Sequence, residues 1–173
     1  LTQKSQVLSD GAMQQNAKQT PLKNYASTAG WTLGSRDAMA LYNAQDLVGL
    51  SKEQNELVYR VAENIFRPCC GNSTAYPDCN HGMAVLGLLE LMAVQGKTET
   101  EMYEAALKFN TYAFAETYIT TAAYFANQGT SWDKVEPKTI LGQTHSSGQG
   151  AAVVTKAVGE IPGMPERGAS CGA

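Results

Sequence analysis

The sequence predicts an all-α fold of three or four helices around one apolar helix, with long irregular arms at both ends. Three observations carry this. Two serine/threonine-x-x-glutamine/glutamate boxes open runs with helical apolar spacing, at Ser51–Gln54 and Thr98–Glu101. Between them, Met83 to Val94 is apolar on nearly all sides, as a central buried helix is. Pro68 and Gly96 stand where the first and the central helix should stop.

Taken in order, residues 1–35 read as a flexible or wrapping arm. Gly11, Pro21, Gly30 and Gly34 interrupt it, and Trp31 is its strong apolar anchor. Residues 36–48 suggest a short helix. From Ser51 to about Phe66, Leu57, Val58, Val61 and Ile65 share one helical face, and Pro68 ends the run because the residue before proline avoids the α region. A Cys-rich connector follows, and the central helix spans about residues 80–95. Gly96 has the place of the glycine that closes a helix. Thr98 opens a further helix with Met102, Ala106, Phe109 and Ala113 on its inner side, continuing towards Asn127 with a break near Phe114. Residues 36–128 thus form the helical domain. Residues 129–173 carry Pro137, Gly142, Gly148, Gly150, Pro162, Gly163 and Pro165, which predict an irregular C-terminal arm with at most a brief helix or strand at 151–158.

The totals restrict function. The 173 residues carry a net charge of −3 and no Lys/Arg cluster, so nucleic acid is not an expected partner. The apolar run Met83–Val94 is little more than half a bilayer span. The polar start Leu1–Thr20 is not a signal peptide; it suits what remains after removal of a signal or an anchor, which with an even number of cysteines points to an extracytoplasmic setting. Half of the chain's 14 aromatic residues lie between Tyr103 and Phe125 and predict core packing and a surface for a protein partner or a second copy, with the arms contributing.

Chemistry is concentrated between Cys69 and Met83, which hold three of the four cysteines and one of the two histidines. Three readings compete. In the first, Cys69 or Cys70 pairs with Cys79, closing a loop worth roughly 2–3 kcal/mol, and the remaining thiol pairs with Cys171. The chain would then be a stapled interaction module or an accessory subunit. In the second, Cys69, Cys70, Cys79 and His81, with Met83 as a thioether, bind a soft ion such as copper, zinc or mercury. Convergence then requires the central helix to begin at Asn80 or later, since a helix that includes Cys79 turns His81 away from it. His145 and Cys171 are further candidate ligands, although His145 sits in a polar stretch where a surface position is the simpler expectation. In the third, Asp78 caps the helix and its positive end lowers the Cys79 pKa, giving a redox thiol. Covalent haem c is disfavoured, because no Cys-x-x-Cys-His is present. No assembled catalytic set is evident, which leans against an enzyme. Glu90, within the apolar helix, is expected at an exposed edge.

The run Ala62-Glu-Asn-Ile-Phe-Arg-Pro-Cys-Cys-Gly-Asn-Ser73, then Asp78-Cys-Asn80, then Gly96-Lys-Thr98, resembles the periplasmic thiol domain of cytochrome c maturation proteins over about residues 57–113. It also resembles small Cys-rich metal-handling lipoproteins. The resemblance implies a three-helix hairpin arrangement and an extracytoplasmic setting. It does not carry the Cys-x-x-Cys redox pair, because Cys69 and Cys70 are adjacent. The reading favoured by the clustering is an extracytoplasmic soft-metal-binding protein, with a thiol–disulfide oxidoreductase and the stapled module as alternatives.

Overall fold

The computed structural model describes residues 3–32 and 34–164, and the fold is all-α. Cys171 lies outside the described residues. The helices are α1 (Gln6–Asp10), α2 (Ala12–Gln15), α3 (Lys52–Ala62), α4 (Asn80–Val94), α5 (Glu99–Ala113), α6 (Ala115–Asn127), α7 (Pro137–Leu141), α8 (Gln143–Ser146) and α9 (Gly148–Val158), with short 3₁₀ turns between. No helix is long and apolar enough to cross a membrane among the described residues.

Both capping boxes form. Ser51 Oγ accepts from Gln54 N while Gln54 Oε1 accepts from Ser51 N. Thr98 and Glu101 repeat the exchange at the start of α5. Gly96, at φ +72°, closes α4 in the left-handed region that glycine enters without strain. The break between α5 and α6 falls on Phe114, at φ −133° and ψ 49°.

α4 packs on α3 and α5, with Val85, Leu86, Leu89 and Ala93 buried. Its outer side is less covered than the even apolarity of the sequence predicts, since Leu91 is 50% and Val94 39% exposed. α3 ends at Ala62 rather than near Phe66. Beyond it, tertiary bonds replace helical ones: Ala75 N donates to the Ala62 carbonyl, Thr74 N to that of Ile65, and Phe66 N to that of Leu141.

The ends of the described chain are packed. Val7, Leu8, Met13 and Trp31 from the N-terminal segment enter the core. In the C-terminal segment α9 lies against α6, α7 against α5, and Ile140, Leu141 and Val154 are buried. The glycines that suggested irregularity are points of close approach. A Cβ on Gly150 would stand 2.4 Å from the Gln143 carbonyl oxygen, and one on Gly148 3.2 Å from that of Cys70. The N-terminal segment also clamps the Cys-rich connector. Asn80 N donates to the Thr28 carbonyl, Thr28 Oγ1 donates to that of Asp78, and the Tyr25 and Tyr76 hydroxyls share a hydrogen bond of 2.6 Å.

Candidate metal centre

The connector from Arg67 to Cys79 is folded around one side chain. Arg67 is 1% exposed and spends all three guanidinium nitrogens locally. Nη1 donates to the carbonyls of Asn72 (3.3 Å) and Ser73 (2.9 Å), and Nη2 to the Tyr76 carbonyl (3.0 Å) and to Asp78 Oδ1 (2.7 Å). Nε donates to Cys79 Sγ at 3.2 Å. Asn72 Nδ2 holds the other oxygen of Asp78 at 2.7 Å. A buried guanidinium with its counter-charge and this many acceptors satisfies the condition for burying an ion pair. Gly82 makes room for it, because a Cβ there would lie 2.8 Å from the Arg67 guanidinium carbon and 3.0 Å from Pro77 Cα.

Cys79, rather than Asp78, is the N-cap of α4, and its sulfur accepts from Gly82 N at 3.5 Å. The helix therefore starts at Asn80, late enough for His81 to turn back towards Cys79. Ligand atoms of Cys69, Cys79 and His81 all lie within 4.8 Å of one another, in a half-buried position. This group can hold a metal ion. Ligand atoms sharing one ion at zinc-type bond lengths sit about 3.5–4 Å apart, close to this spacing. The His81 ring is set against Phe114, with centroids 4.8 Å apart, so the break between α5 and α6 shapes the site.

Cys70 belongs to the same sulfur cluster. The neighbouring Cys69 and Cys70 thiols, with the Arg67 charge and the Gly82 N–H, bring the Cys79 pKa below the ordinary thiol range against the effect of burial, while the Cys70 thiol donates to the Asn72 carbonyl at 3.9 Å. Cys69 is pushed up by Cys70 and by Cys79, and by burial. Cys70 is also raised: Cys69 lowers it, but Cys79 and burial win. Of the three sulfurs, Cys79 is thus the readiest to ionise. The negative charge of Asp78 beside it, which would oppose ionisation, is paired with Arg67. Gly148 N at the start of α9 donates to the Cys70 carbonyl at 2.7 Å and fixes the loop from behind.

Cys69, Cys70 and Cys79 are free thiols, so the expected staple among them is not formed; the sulfurs converge on one point instead of pairing off. Met83 stands one turn beyond Cys79 and lines a different cavity, with Leu8 and Trp31. His145 is half-buried against Tyr124 and Phe125 and its Nδ1 bonds the Thr139 carbonyl; it is not a member of the Cys69–Cys79–His81 group. Arg67 stands out in the sequence only as part of the Arg-Pro-Cys-Cys motif, with no role attached to it. Its signal was an arginine directly preceding Pro-Cys-Cys at a helix end.

A cavity of about 500 Å³ leads to Cys69, walled by Pro68, Phe114, Thr117, Thr120 and Ala151. Tyr112, 93% exposed, stands at its rim. It offers an entry path to the sulfur cluster. No protein-family model matches the chain, and no curated protein or solved structure does.

Proposed function

We propose that the chain binds a soft metal ion of the copper, zinc or mercury type through Cys69, Cys79 and His81, with Cys70 as the further sulfur donor, in an extracytoplasmic setting. The observation that supports this best is the convergence of the two sulfurs and one imidazole within 4.8 Å. Thiolate and imidazole are the donor types of soft and borderline ions. Two thiolates and a neutral imidazole balance a divalent charge. The Arg67 charge is already matched by Asp78, so the ion meets no net repulsion from it. Binding displaces the thiol proton of Cys69, and that of Cys70 if it joins, while Cys79 has its lone pair available at once. The Asn80 start of α4 and the Phe114 ring hold His81 in reach.

The test is metal competition with the reduced chain against a chromophoric chelator. The expected result is one ion per chain, and a loss of at least tenfold in affinity in both Cys79→Ser and His81→Ala. Binding unchanged in both variants overturns the reading.

One observation favours a second reading, thiol–disulfide exchange. A thiolate flanked by two thiols can attack a substrate disulfide, expel one thiolate of that substrate and form a mixed disulfide. Attack by the Cys69 or Cys70 sulfur on Cys79 then releases the second substrate thiol and leaves an internal disulfide. A reduction potential for this pair above that of structural disulfides, with no stoichiometric metal, would favour this over the metal site.

A further inference from the structure

A second cavity, of about 610 Å³, lies on the other flank of α4. Its wall is mainly apolar, with Leu8, Trp31, Val48, Met83 and Phe109 contributing, and Leu47 and Leu91 stand half-exposed at its edge. Glu90 is set in this wall and is 4% exposed. Its Oε1 has no hydrogen-bond partner among the described residues, and no ion pair among them includes it. Trp31 Nε1, in the same wall, also lacks a partner among the described residues.

A buried carboxylate with one oxygen unpartnered is costly even with the Ser5 hydroxyl beside it, and fully apolar packing at such a position is usually as stable or more so. Packing of α4 therefore gives no reason for an acid at 90. Its surroundings are those of a small-molecule site: a cavity within the usual volume range, mostly hydrophobic, with one convergent polar group. We propose that this cavity binds an organic amine, a small molecule with an apolar body and an ammonium head, with Glu90 as counter-ion. The sign of the only charge in the wall selects a cation. Trp31 and Phe109 add ring faces of the kind that attract ammonium groups. The exposed Leu47 and Leu91 suit an apolar tail leaving the mouth.

Calorimetric titration of the full chain with decylammonium, 1-decanol and decanoate at pH 7.4 tests this. Decylammonium is expected to bind once per chain, at least tenfold tighter than decanol, with decanoate weakest. Glu90→Gln should erase that preference and leave decanol binding unchanged. Gly87→Leu gives an independent check, since Gly87 lines the cavity and a Cβ there meets nothing within 4 Å. Leucine also favours helix over glycine, so this variant should fold at least as stably as the parent while losing tenfold or more in decylammonium affinity. Equal affinity for decanol and decylammonium overturns the proposal. So does a preference that survives Glu90→Gln, or undiminished binding by Gly87→Leu. The titration is run on metal-free and metal-loaded chain alike, so its outcome is separate from that of the Cys69–His81 site.

Discussion

Arg67, buried to 1% exposure, donates Nε–H to Cys79 Sγ at 3.2 Å while Nη2 holds Asp78 at 2.7 Å. One side chain thereby builds the connector, neutralises the acid at the helix entry and stabilises a thiolate. Its planar fork is what makes the three roles compatible, and a lysine cannot reproduce them.

Arg67→Met should therefore destabilise the fold by about 3–5 kcal/mol, the usual cost of removing one partner of a buried, hydrogen-bonded ion pair. Urea unfolding of the reduced, metal-free protein checks this. A loss under about 1 kcal/mol would mean that the guanidinium network contributes little.

The thiols should differ in reactivity. Cys79 is held below the ordinary thiol range by the neighbouring Cys69 and Cys70 thiols and by Arg67, and the other two are raised. Alkylation at pH 6, followed by peptide mapping, should label Cys79 first, at a rate nearly flat from pH 6 to 8. Labelling of all three in parallel with rising pH would contradict the assignment of the thiolate.

Gly82→Ala should cost about 1–3 kcal/mol despite the better helix propensity of alanine, because the added methyl meets the Arg67 guanidinium at 2.8 Å. A thermal midpoint at or above that of the parent would show that Arg67 can move aside freely.

Burial pushes the Glu90 pKa up from 4.5 to about 7, with the nearby Ser5 hydroxyl pulling the other way. The folded state thus holds this proton more tightly than the unfolded one. The associated stability is fully present below about pH 4.5 and is lost as pH rises towards 7, by about 3 kcal/mol at most. In Glu90→Gln that part of the pH dependence should vanish, which chemical denaturation at pH 5 and pH 8 would reveal as a smaller difference between the two conditions.

What the sequence made legible was local. The two capping boxes, the glycine after α4 and the break at Phe114 depend on residues three or four apart, and all are where the pattern places them. The cysteine–histidine grouping was also visible, and so was the condition that α4 start at Asn80. Burial of charge was not. Arg67 and Glu90 are charged residues whose usual place is the surface, and the fold decides otherwise: for the first, an irregular loop that wraps Asn72, Ser73 and Asp78 around it without any periodic pattern, and for the second, the N-terminal segment packed over α4. α7, α8 and the start of α9 were hidden for a related reason, although 151–158 was legible as a brief helix or strand. Gly142, Gly148 and Gly150 read as breakers in isolation, yet Gly148 and Gly150 are the points where backbones approach too closely for a side chain.

The most direct test of the metal centre is X-ray absorption at the metal edge on the reduced chain loaded with one equivalent of zinc, compared with His81→Ala. A metal bound by Cys69, Cys79 and His81 should show a first shell of sulfur at about 2.3 Å with one nitrogen at about 2.0–2.1 Å, and loss of that nitrogen in the variant. A shell of oxygen and nitrogen alone, or one that His81→Ala leaves untouched, would contradict it.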